Sequence, residues 1–206
     1  PFLLDELAEI TTLFHRNNRI HSLNLPTNGL LPKRIDDVIG RVLRDCPELT
    51  IDLNFSIDGL ANTHDIIRGV PNNFQKTLAT IELINQKYRS VRRLRRNVAT
   101  VITREGYQEM VELAFHMLNN RDLSGHYFEI IRGNPMDPTL KAVTREELKA
   151  LHDRLYAVHE AYADRLFADA TPAARWFARM YYLGSVKFHF EIHEQCLERP
   201  HRWAMP

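Results

Sequence analysis

Apolar positions in the first two-thirds of the chain switch between helical and extended spacing. Leu3, Leu7, Ile10 and Phe14 recur at the interval of one helix face. An extended run over residues 21–25 follows and closes in the turn Thr27-Asn28-Gly29. Ile35, Val38, Ile39 and Val42 mark a second helix that ends before Pro47. Residues 49–56 alternate strictly and form the clearest strand. Phe74, Leu78 and Ile81 predict a helix, residues 97–103 a strand, Met110, Leu113, Ala114, Met117 and Leu118 a helix, and residues 126–131 a strand. Strands separated by amphipathic helices imply crossover units, so the predicted fold is α/β with a parallel sheet, either doubly wound or curled into a barrel.

The strand over 49–56 carries Leu49, Ile51, Leu53 and Phe55 on one face and Thr50, Asp52, Asn54 and Ser56 on the other. A parallel strand covered by helices on both faces reads as nearly continuous apolar sequence. Its polar face therefore points to solvent, as on an edge strand, or into a lumen that holds a polar ligand. Asp58 and Gly59, just beyond it, fall at the carboxyl rim where parallel barrels and open sheets place their chemistry.

The pattern changes near residue 140. Thr144 and Glu147 have capping-box spacing and open a helix with Leu148, Leu151, Leu155, Val158 and Tyr162 along one face. Thr171-Pro172 opens a second helix that runs to about Gln195. Two long helices in succession predict an extension beyond the strand–helix alternation, with residues 1–143 as the barrel part and 144–206 as helical extension and linker.

Composition narrows the partners. Of 206 residues, 44% are hydrophobic and 26% charged, ordinary for a globular protein, and a net charge of +1 gives no global reason to expect nucleic acid. The local basic run Arg92, Arg93, Arg95 and Arg96 reads as a solvated surface turn. No apolar run reaches the ~20 residues of a membrane span. Cys46 and Cys196 make no disulfide framework and fit a reducing cytoplasm. The chain opens on Pro1-Phe2 directly into a helical pattern and stops at Met205-Pro206 without a closing element, so truncation at both ends is expected.

One ordered set of motifs carries a family resemblance. Leu25-Pro26-Thr27-Asn28-Gly29-Leu30 is followed by Ser56-Ile57-Asp58-Gly59-Leu60, then His64-Asp65, Ile67-Arg68-Gly69 and Phe74. Over roughly residues 1–135 the chain resembles the middle of a radical S-adenosylmethionine (SAM) core, of the kind followed by a SPASM domain, and more distantly the cyclase that starts molybdopterin synthesis. The resemblance implies an incomplete parallel barrel lacking its first strands. It also implies a 4Fe–4S cluster on a CxxxCxxC loop before residue 1, and reductive cleavage of SAM to a 5′-deoxyadenosyl radical that abstracts hydrogen from a peptide or small-molecule substrate. An electron donor such as flavodoxin or ferredoxin would serve it. Cys thiolates are the expected cluster ligands, and Cys46 and Cys196 are far apart in sequence, so these 206 residues alone are expected to be inert. A cysteine-bearing auxiliary-cluster domain is expected beyond Pro206.

Individual positions follow from the same resemblance. Pro1 would be the last residue of the family's Gly-Gly-Glu-Pro motif. Ser56 matches a serine that contacts the SAM ribose or carboxylate region, and as a strand-ending serine it also suits a turn. Asp58 joins this cofactor set from the rim. Asn97 falls where the cyclase has a substrate-binding lysine and other members place a SAM-contacting polar residue. Ile131 falls at a hydrophobic contact to the SAM adenine, a position that packing alone also explains. Pro26 stands where the cyclase has a nucleotide-binding threonine, and the two departures together count against GTP. Arg132 would hold an acidic substrate group or cap a loop.

Two further groups invite chemistry. His64, Asp65 and Arg68 read as a structural turn and short helix. His189, His193 and Cys196 lie at i, i+4 and i+7, so one helical face presents three zinc-type donors. Phe188, Phe190 and Ile192 crowd the segment and no fourth ligand is evident, so the reading there is a packed helix and no metal. Two other classes remain: an aldolase-like barrel enzyme, and a non-catalytic barrel acting as a binding module.

Overall fold

The computed structural model describes residues 1–120, 122–131, 135, 137–141 and 143–198. In chain order the elements are α1 (Leu7–Asn18), β1 (Ser22–Thr27), α2 (Pro32–Asp45), β2 (Thr50–Ser56), α3 (Ala61–Arg68), α4 (Asn73–Tyr88), β3 (Leu94–Ile102), α5 (Met110–Asn120), β4 (Gly125–Ile130), α6 (Arg145–Leu166) and α7 (Pro172–Glu198). The expected α/β arrangement is present. All three strand pairs are parallel, the order is β1-β2-β3-β4, and the sheet is open with β1 and β4 at its edges.

Alternation in β2 decides how the layers stack. Ile51, Leu53 and Phe55 are fully buried and share one apolar cluster with Leu25 of β1, Val98 of β3 and Phe128 of β4. The same cluster takes Ile35, Val38, Ile39 and Val42 from α2, Leu78, Ile81 and Ile84 from α4, and Leu113 and Met117 from α5. Leu148, Leu151, Leu155, Val158 and Tyr162 of α6 belong to it as well, so α6 packs into the core of the sheet. Its expected capping box is formed: the Glu147 N–H donates to Thr144 Oγ1 at 3.2 Å and the Thr144 N–H donates to Glu147 Oε2 at 2.9 Å. Arg104 clasps the same carboxylate and, with the Thr144 N–H, holds it down at about 2.

The predicted face of α1 is buried only in part: Leu7 packs against the core and Ile10 is half-buried. Leu3 and Phe14 are 89% and 54% exposed, and the helix instead buries Ala8 and Thr11. Small residues let α1 lie close against α2, which turns the larger side chains outward. The basic run is a surface turn only in part: Arg92 and Arg93 form the turn before β3, with Arg92 exposed. β3 begins at Leu94, so Arg95 and Arg96 lie within the strand. Arg93 donates to the carbonyls of Leu43, Cys46 and Leu49 at the end of α2 and the loop after it, and buried Arg96 donates to the Tyr88 carbonyl at 3.2 Å. Arg93 and Arg96 thus satisfy carbonyls at or just beyond the ends of α2 and α4, while half-exposed Arg95 pairs with Asp52.

The turn after β1 is fixed by α4. Gly29 has φ +74°, and a Cβ there would stand 2.8 Å from Thr77 Cγ2. Thr77 and Thr80 donate to the carbonyls of Asn28 and Gly29 at 2.7 and 2.6 Å. Only glycine meets both the left-handed backbone and the close approach. The linker expected at the end of the chain lies at residues 199–206, outside the described residues. Among the described residues no helix is long and apolar enough to cross a membrane.

Which face of β2 is core can be measured. Phe55→Ala should cost about 3–5 kcal/mol in urea unfolding. Asn24→Ala, on the opposite face, should cost less than about 1 kcal/mol. Equal costs would contradict the layering.

Candidate functional site

Parallel pairing carries the polar side of β2 across the whole sheet. Asn24 and Pro26 of β1, Asp52, Asn54 and Ser56 of β2, Arg95, Asn97 and Ala99 of β3, and Gly125, Tyr127 and Glu129 of β4 share one face. Asn54 Nδ2 donates to Asn24 Oδ1 at 2.7 Å, Asn97 Nδ2 donates to Asp52 Oδ1 at 3.3 Å, and Arg95 pairs with Asp52 at 2.8 Å. Asn54 and Asn97 are buried even so, and Asn54 Oδ1 has no hydrogen-bond partner among the described residues. A buried amide oxygen without a partner among the described residues is open to a donor from a water or a ligand. The face thus offers amides, a hydroxyl and charges of both signs, suited to a polar and zwitterionic ligand.

The rim above this face is held by one carboxylate. Asp58 is 3% exposed; its Oδ1 accepts from the Val101 N–H at 2.9 Å and its Oδ2 pairs with Arg68 Nε at 2.6 Å. The Asp58 N–H donates to His64 Nδ1 at 3.0 Å, and burial lowers the pKa of that imidazole. Asp65 accepts from the N–H groups of Asn72 and Phe74 at the start of α4. His64, Asp65 and Arg68 therefore do the structural work their sequence suggests, and the Asp58 carboxylate serves the same loop.

The residues expected to bind cofactor or substrate divide accordingly. Pro26, Ser56 and Asn97 come together on the polar face of adjacent strands. Pro1 is exposed ahead of α1, its carbonyl accepting from the Leu4 N–H at 3.0 Å. Ile131 lines a small apolar pocket with Ile102, Leu140, Leu148 and Leu197. Arg132 lies outside the described residues. Asn24, Tyr127 and Glu129 were not singled out by sequence, and Arg95 was read only as part of a solvated basic run; applying the β2 alternation to residues 125–130 would have placed Tyr127 and Glu129.

At the β4 edge the polar face meets α7. His189 Nε2 lies 3.4 Å from Glu129 Oε1 and His193 Nε2 lies 3.5 Å from Glu129 Oε2. One donor atom from each of the three side chains falls within 4.8 Å of the others, and Cys196 is not part of the group. The two imidazoles hold the Glu129 carboxyl well below its ordinary range. Behind them, α6 and α7 enclose more histidine. His152 stacks on Phe190 at 4.1 Å between ring centroids and contacts Glu194 through Nδ1 at 3.1 Å; His159 Nδ1 meets Tyr182 Oη at 2.9 Å. Burial pushes His152 down to about 3 and His159 down to about 4, and both are helped by neighbouring histidines.

The thiols do not fit an iron–sulfur cluster. Cys46 is fully buried at the end of α2 with Sγ 3.7 Å from Thr12 Oγ1, and Cys196 lies on α7. No protein-family model matches the chain, and no curated protein matches it significantly.

Neutral burial of two histidines makes the α6–α7 pair acid-sensitive. Their folded pKa values lie below the unfolded value near 6.5, so the stability they contribute is present above that pH. It is lost as the pH falls towards 4, because the unfolded chain takes up protons that the folded one refuses. Melting temperature should drop between about pH 6.5 and 4.5, and the drop should shrink in the His152→Gln/His159→Gln double variant. A flat wild-type profile would contradict the burial.

Proposed function

We propose that this chain forms part of the core of a radical SAM enzyme and that SAM lies on the polar face of its sheet. The carrying observation is the sidedness of that sheet. Its apolar side is filled by helices, while Asn24, Asp52, Asn54, Ser56 and Asn97 gather on the other, with Asn54 Oδ1 buried and unpartnered. On this reading the strands are an arc of an incomplete parallel barrel. Preceding strands would add at the β1 edge, beside the exposed Leu13 and Phe14 of α1.

Ser56 and Asn97 would hold polar groups of SAM, with Asn54 supplying an acceptor between them. When bound and reductively cleaved at a cluster, SAM supplies a hydrogen-abstracting radical. The cluster's ligands would come from residues outside these 206, since the two thiols present cannot assemble it, and no step through the cluster is assigned to this chain. A peptide or small metabolite is the substrate class, an electron donor of the flavodoxin or ferredoxin kind is the partner, and a reducing cytoplasm keeps both thiols free.

The test is anaerobic purification of the product of the full reading frame, followed by cluster reconstitution and an assay for 5′-deoxyadenosine. Cleavage of SAM should occur, and Asn97→Ala should slow it about 10–100-fold, the cost of a hydrogen bond lost at a buried polar site. Lys87→Ala, in an exposed pair on α4, should leave it unchanged. A reading frame without a three-cysteine loop, or a loaded protein that leaves SAM intact, would overturn the assignment.

A further inference from the structure

We propose that Glu129, His189 and His193 form a binding site for a divalent transition-metal ion of the zinc class, pinning α7 to the carboxyl end of β4. This inference rests on the geometry of β4 and α7 and is independent of the SAM reading. His189 and His193 stand one helical turn apart, with ring centroids 4.1 Å from each other. Their Nε2 atoms approach opposite oxygens of one carboxylate at 3.4 and 3.5 Å.

Those separations are informative. A charge-assisted hydrogen bond closes to about 2.7–2.9 Å. Ligands held about 2.0–2.1 Å from a tetrahedral zinc have N···O edges of about 3.3 Å. One donor atom from each side chain lies within 4.8 Å of the others, close enough for a single ion to reach all three, and the imidazole–carboxylate distances are wider than those of groups bonded to each other. His193 adds a second, separate observation. It is 1% exposed, and neither ring nitrogen has a hydrogen-bond partner among the described residues. An imidazole buried that way is costly unless something satisfies it, and an ion bound at Nε2 would satisfy that nitrogen.

Two imidazoles and one carboxylate suit zinc-class ions better than calcium or magnesium, which take mainly oxygen donors. The Glu129 and His189 side chains are 39% and 41% exposed, so an ion can enter from solvent. Three protein ligands leave a coordination position for water or a ligand group. That position lies at the rim of the face that carries Ser56 and Asn97, since Glu129 shares it.

The test is titration of the metal-free protein with Zn²⁺, and with Co²⁺ as a spectroscopic probe. One equivalent should bind, with Co²⁺ bands of a nitrogen and oxygen site and no thiolate charge-transfer band. Zn²⁺ should raise the melting temperature. His189→Ala, at a half-exposed position, should weaken binding at least 100-fold and abolish the thermal shift. Glu129→Gln should do likewise, and Cys196→Ser should change neither. Absence of stoichiometric binding to the folded wild type would overturn the site. So would binding that survives both His189→Ala and Glu129→Gln, or a thiolate band lost in Cys196→Ser.

Discussion

Ile51, Leu53 and Phe55 on one side of a central parallel strand must be covered by apolar helix faces, while Asp52, Asn54 and Ser56 on the other need polar partners, and this sets how the layers stack. Each of the three apolar side chains is worth roughly 1.5–3 kcal/mol when removed from water. They draw α2, α4, α5 and α6 to the same side of the sheet and merge those helices into one core. A conventional doubly wound sheet would place helices on both faces. Here the second face stays polar, and the strand register lines its polar residues up across all four strands.

Rigidity at the rim follows from a few polar contacts. Asp58 joins the β2 exit to the Val101 N–H of β3 and to Arg68 of α3, while Glu109 accepts from the Leu60 N–H and from Thr63 Oγ1. These bonds fix the loop directly after Ser56, so the end of the polar face is held by partners that do not touch it. The α6–α7 pair is built differently. Its interior mixes Leu155, Val158 and Phe190 with His152 and His159, which ties that part of the fold to neutral imidazoles.

Much of the sheet was legible because period-two alternation in residues 49–56 is strong, and because helix faces such as Ile35, Val38, Ile39 and Val42 are all apolar. The α1 face was misread at Phe14 because periodicity alone ranks Leu and Phe above Ala and Thr, whereas close packing on α2 favours the small pair beside Leu7. Arg93 and Arg96 of the arginine run were misread because charge suggests solvent, while a guanidinium beside a helix end is worth more as a donor to stranded carbonyls. Ser56 and Asn97 could be paired through the register of parallel strands. The link between Glu129 and α7 could not, because it joins residues some sixty apart through tertiary packing, and the helix spacing of His189, His193 and Cys196 gave no sign of Glu129.

The central claim is that the polar face of the sheet is the ligand surface. Amide and side-chain NMR spectra of the protein, recorded while SAM is added, address it most directly. The account predicts perturbations concentrated at Asn54, Ser56 and Asn97, with the groove between α6 and α7 around Lys149, Tyr156 and Lys187 unaffected. Perturbations confined to that groove, or none at saturating SAM, would contradict it.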